Sequence, residues 1–157
     1  MPISIGKKFE QQFKKDVLEQ NFFVYRLPDQ MTGNKATSKN PCDFFIYYNP
    51  YLRLIECKSI HGNTFPLSNF TQYDLMLSYT KDFEYVTGAV LIWFIDKDVV
   101  LYVPIETVTA LKAKKLKSIN LNKLEELEDK YVNVKSVKKK IFLQSDYQFL
   151  KEEIKFD

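Results

Sequence analysis

The chain has 157 residues, 45% of them apolar and 27% charged, with a formal charge of +3. That length suits one core over 1–157, and the composition excludes disordered, collagen-like and disulfide-framework classes. The longest apolar runs, such as Gly88 to Ile95, fall short of the roughly 20 residues of a membrane span, and MPISIGKKFEQQF has no signal-peptide core, so a cytoplasmic protein with no membrane partner is expected.

Ser4 can cap a helix in which Ile5, Phe9, Phe13 and Val17 recur at four-residue spacing, which predicts an amphipathic helix ending near Asn21. FFVYRL at 22–27 reads as a strand, and Pro28 to Pro41 as a polar loop. CDFFIYY and LRLIECKS, joined by Asn49-Pro50, predict a hairpin. A helix is expected over 69–80, then a strand buried on both faces in VTGAVLIWFI and a hairpin partner in VVLYVP. The tail predicts short helices at 105–113, 121–129 and 146–154 and a strand near 131–135. The whole describes a central sheet with helices packed against it.

Cys42, Cys57 and the single His61 are one soft ligand short of a structural zinc site. One histidine in a turn also argues against Ser-His-Asp or Cys-His catalysis, leaving carboxylates and lysine as the available chemistry. Residues 112–140 hold ten lysines against four acids, so that stretch carries +6 and the remainder −3. Such asymmetry suits a nucleic-acid partner.

The chemistry-bearing pattern is Asp43 followed by Glu56-Cys57-Lys58. Alternate strand residues share a face, so Glu56 and Lys58 point one way and Ile55 and Cys57 the other. If Tyr48 pairs with Tyr51, Asp43 lies opposite Glu56; a two-residue shift sets it opposite Lys58. Either register leaves all three on one face. Opposed Cβ atoms lie about 4.5–5.5 Å apart, close enough for two carboxylates to share a divalent cation. Hard oxygen ligands suit Mg²⁺, with Mn²⁺ as substitute, and phosphodiester hydrolysis is the natural use. In the hairpin register that opposes Cys42 and Cys57, both lie away from the acids as small buried hydrophobes. Tyr47, Tyr48 and Tyr51 can stack on bases, fill a dimer interface or pack in the core.

Gly6-Lys7-Lys8-Phe9-Glu10 adds an acid on the first helix, one residue beyond its apolar stripe. With Phe65-Pro66-Leu67-Ser68-Asn69, and with Lys117-Ser118-Ile119, Asp146-Tyr147 and Leu150 late in the chain, this ordered set resembles the PD-(D/E)-x-K nucleases, and among them the RecU-type Holliday junction resolvases. The resemblance implies an α/β, restriction-endonuclease-like fold with a mixed central β-sheet flanked by α-helices. It implies a metal-dependent endonuclease that resolves four-way DNA junctions by paired nicks, acting as a homodimer on branched double-stranded DNA. By it, Asp43 and Glu56 bind Mg²⁺, Lys58 assists attack and Glu10 completes the catalytic set.

The chain departs from the family in three places. Pro41 replaces a threonine two residues before the Asp, and Asp74 stands where the family has glutamine, which makes Asp74 a third candidate metal ligand and leaves Gln72 on another helical face. The loop 28–41 is a shortened equivalent of the family's stalk, whose Lys35 and Lys39 are candidate phosphate contacts. Lys112, Lys114, Lys115 and Lys117 are candidate contacts to the DNA backbone. The small size and the lysine-rich, arginine-poor composition suit a phage or an A·T-rich bacterial genome. The rival readings are a sequence-specific or repair endonuclease of the same fold, and a recombination module that binds junctions without cutting them.

Overall fold

A computed structural model describes residues 3–29 and 40–156; the expected phosphate contacts Lys35 and Lys39 lie outside the described residues. Ser4 caps the first helix, α1 (Ile5–Glu19), by accepting a hydrogen bond from the Lys7 N–H at 3.2 Å. Phe9, Phe13 and Val17 form its buried stripe, as the four-residue spacing predicts.

Six strands form the main sheet: β1 (Phe23–Arg26), β2 (Phe44–Tyr48), β3 (Tyr51–Ile60), β5 (Val86–Phe94), β6 (Val99–Pro104) and β8 (Val132–Asn133), in the order β1-β2-β3-β5-β6-β8. β3 and β5 run parallel and the other neighbours antiparallel, so the sheet is mixed. A small second sheet pairs β4 (Thr64–Pro66) with β7 (Ser118–Asn120), and β9 (Ser136–Lys138) pairs with β10 (Leu143–Ser145).

The main sheet carries a core on each face. α1 covers Ile55, Cys57, Leu91 and Tyr102, and the C-terminal Tyr147 and Leu150 join that layer. On the other face α2 (Tyr73–Thr80) and α3 (Ile105–Ala113) pack against Leu54, Val90, Ile92 and Leu101. Two buried polar groups tie these layers down. Asp16 on α1 accepts from the Ser145 N–H at 3.1 Å and from Gln12 Nε2 at 2.8 Å, fastening β10 to the helix. Arg53 on β3 donates to the carbonyls of Leu150 and Glu152 at 2.8 and 2.6 Å and to Thr87 Oγ1 at 3.2 Å.

The hairpin closes at Asn49-Pro50 with Tyr48 opposite Tyr51, the first of the two registers the sequence allows. Other expectations need correction. The helix at 69–80 begins only at Tyr73, after a helical turn at Leu67–Asn69, because Phe70 turns out of helical geometry to bury its ring. The segment 121–129 is a tight helix over Leu121–Leu127 kinked at Lys123. In 146–154 only Gln148–Lys151 is helical, since Arg53 claims carbonyls that a longer helix would use internally. Cys42 is buried beside Leu27 and Leu54, across the sheet from Cys57, because it precedes β2 and escapes the pleat; both cysteines are free.

Gly88 lets α2 approach β5. A Cβ there would lie 2.6 Å from Met76 Sδ and 2.8 Å from its Cγ, closer than van der Waals radii allow. Gly88→Val should destabilise the protein by about 2–3 kcal/mol through overpacking, and Met76→Ala should recover part of that stability, as read from denaturant midpoints.

Candidate active site

Asp43 stands at the point where β2 and β3 part. The ladder ends at Phe44 opposite Ile55, and the Asp43 N–H donates to the Ile55 carbonyl at 3.1 Å, one residue out of step with the register. The Cys57 N–H then donates to Asp43 Oδ2 at 2.9 Å. A side chain thus replaces a backbone acceptor and fixes the carboxylate against β3. Local slippage of this kind re-aims a side chain at a strand end.

Glu56 follows on β3, on the same face as Leu54, and is only 3% exposed. Its Oε2 pairs with Lys58 Nζ at 3.2 Å, while Oε1 is buried with no hydrogen-bond partner. Burial, and then the charge of Asp43, push the Glu56 carboxyl up to about 8 against the partial relief of Lys58. Lys58 is a quarter exposed, so its ammonium joins the buried acid to solvent.

Glu10 enters from α1. Its carboxyl accepts from Arg26 Nη2 at 3.1 Å and lies 3.5 Å from Lys7 Nζ. Burial, and next the negative charge of Asp43, raise it above the usual carboxylate range. Asp43 therefore lies between Glu10 and Glu56 as a like charge that each of them feels. Arg26 also pairs with Asp29 at 3.0 Å and donates to the Leu27 carbonyl. Asn40 Nδ2 donates to the Pro28 carbonyl at 2.6 Å, beside this network.

Of the residues singled out in the sequence, the fold gathers Glu10, Asp43, Glu56 and Lys58. Asp74 stands exposed in the first turn of α2 and, among the described residues, makes no hydrogen bond or ion pair with the three acids. The polar group turned inward at this helix is Gln72, whose Oε1 is buried and unpartnered. Lys112 lies over the Tyr73 ring at 4.4 Å and Lys114 pairs with Glu128 at 2.6 Å, while Lys115 and Lys117 are exposed. Tyr47 and Tyr48 are exposed beside the hairpin turn and Tyr51 is half-buried. Sequence reasoning missed Arg26, Lys7 and Asp29, whose roles arise from ion pairs between separate elements.

The orphaned Glu56 Oε1 beside Asp43 is an oxygen without a positive partner, and it fits a divalent cation. Among the described residues no three acidic, histidine or cysteine side chains close into a ready-made cage. Two carboxylates leave the remaining positions to water and substrate oxygens, which is how Mg²⁺ is commonly held.

The raised Glu56 carboxyl has a measurable consequence. Its folded pKa lies above the unfolded value, so the neutral acid stabilises the fold fully below about pH 4.5, and that stability is lost as pH rises through about 8. Glu56→Gln should match the wild type near pH 5 and exceed it by roughly 1–3 kcal/mol near pH 9 in thermal melts. Equal pH profiles would show that Glu56 is solvated.

No family model matches the sequence, and no curated protein matches it either. Among solved structures the chain is similar to Hjc of Archaeoglobus fulgidus, a Holliday junction resolvase from an archaeal hyperthermophile. The two share 15% identity at a TM-score of 0.54, over 74% of this chain and 89% of that one. The likeness shows the fold: a mixed central sheet flanked by helices, of the restriction-endonuclease-like class that the sequence implies.

Proposed function

We propose that this protein is a metal-dependent endonuclease of the RecU type that cuts branched double-stranded DNA, four-way junctions above all, by paired nicks. The observation that carries the reading is the buried, half-unpartnered Glu56 beside Asp43, with Lys58 bridging to solvent. An unsatisfied carboxylate oxygen costs stability and has no structural use here, whereas it suits a divalent ion on a phosphate. The archaeal resolvase likeness and the ordered sequence motifs support the same reading.

In this reading Asp43 and Glu56 hold Mg²⁺ or Mn²⁺. The bound ion lowers the pKa of water and offsets charge on the phosphate. Glu56 must first give up the proton that its surroundings favour, so cation affinity should rise with pH towards about 8. Asp43 keeps its orientation through the Cys57 N–H. Lys58 then releases Glu56 to orient the attacking water or stabilise developing phosphate charge, and Glu10 holds Arg26 at the rim. Lys112, Lys115 and Lys117 follow the DNA arms, and a two-fold junction calls for a homodimer with two matched sites.

The test is a nicking assay on a four-way junction and a linear duplex, in Mg²⁺ and in EDTA, alongside solution mass. Asp43→Asn and Glu56→Gln should each lower cutting by about 10³-fold without weakening junction binding, and Lys58→Ala should lower the single-turnover rate by about 10²-fold. Equal cutting of duplex and junction would favour a repair or sequence-specific endonuclease, and binding without cutting a recombination module. Replacing any one of Lys112, Lys115 or Lys117 by a neutral residue should flatten the slope of log affinity against log salt by about 0.9 for each phosphate that the lysine neutralises. An unchanged slope would remove that lysine from the footprint.

A further inference from the structure

Resting on the nucleic-acid reading above, the groove beside Glu10 bears on how a strand reaches the acids. It encloses about 420 Å³, with Lys7, Lys14, Arg26, Glu10 and Asp29 in its lining. Two of its cations converge on one anion of the chain itself. Asp29 Oδ2 lies 2.8 Å from Lys7 Nζ, and Oδ1 lies 3.0 Å from Arg26 Nη2. One cation to each oxygen is the pattern that the two non-bridging oxygens of a phosphodiester would meet with the same charge.

The partners differ in how firmly they are held. The Asp29 side chain is 69% exposed, so water can take it over at little cost. Arg26 is mostly covered, bonded to Glu10 and the Leu27 carbonyl, and sits over the Phe44 ring at 5.7 Å. Those interactions fix the guanidinium without help from Asp29.

We propose that Lys7 and Arg26 form a backbone-phosphate subsite beside the carboxylate cluster, and that Asp29 fills it in the free protein as an internal stand-in. Binding then exchanges one anion for another. Arg26 stays charge-balanced throughout, and Glu10 is never left facing Asp43 without a cation beside it.

The test is equilibrium binding of a labelled four-way junction and a labelled duplex in EDTA, where cutting plays no part. Asp29→Asn should bind about three- to tenfold more tightly than the wild type, with Asp29→Ser as a second variant. The gain should vanish when Lys7→Ala and Arg26→Ala are both present. No gain in either folded Asp29 variant would overturn the subsite, and so would an equal gain with the two cations removed, which would reveal only a long-range effect of net charge. Wild-type binding with no Asp29 effect discards the subsite and keeps the nuclease reading. Absence of DNA binding in every variant discards both.

Discussion

A carboxylate buried on a central strand with one oxygen unanswered is the constraint around which the rest of the molecule is arranged. Glu56 lies on β3, between β2 and β5, and its side chain is almost wholly removed from water. Taking such a group out of water costs several kcal/mol, and Lys58 answers only one of its oxygens. The fold nonetheless keeps Glu56 beside a second acid, Asp43, which in turn faces Glu10 from α1.

The surrounding elements hold this unfavourable group in position. Each face of the sheet has its own core, so β3 is clamped by α1 on one side and by α2 and α3 on the other. The parting of β2 from β3 gives Asp43 its place, and the Cys57 N–H holds it there. Glu10 comes from the opposite layer because α1 buries Phe9 and thereby leaves the next residue at the sheet's edge. The site is thus assembled from both layers at one end of the β2–β3 pair, where backbone hydrogen bonding runs out and side chains take over.

Much of this was legible in the sequence because it depends on short-range rules. The four-residue spacing of Ile5, Phe9, Phe13 and Val17 fixes α1, and the turn at Asn49-Pro50 fixes a hairpin that sets Asp43 on the face of Glu56 and Lys58 in either register, the structure then choosing the one with Tyr48 opposite Tyr51. The depth of Glu56 was not legible, since it follows from how two layers close over β3. Nor was the cluster of Lys7, Arg26 and Asp29, whose partners come from α1, β1 and the loop beyond it. The tail misled for a related reason. Residues 146–154 have helical spacing, yet the carbonyls such a helix needs belong to Arg53, almost a hundred residues earlier in the chain. Cys42 misled because pleat alternation holds only inside a strand.

The hold of Arg53 on Leu150 and Glu152 ties the C-terminal segment to the sheet. Every strand of the main sheet lies within residues 23–133, so those acceptors belong to a segment outside it. Without them a guanidinium in the middle of β3 would be left buried with its charge uncompensated. The α1 layer is completed from the same segment by Tyr147 and Leu150, so residues 147–152 act as a clasp that satisfies the arginine and closes the core beside it.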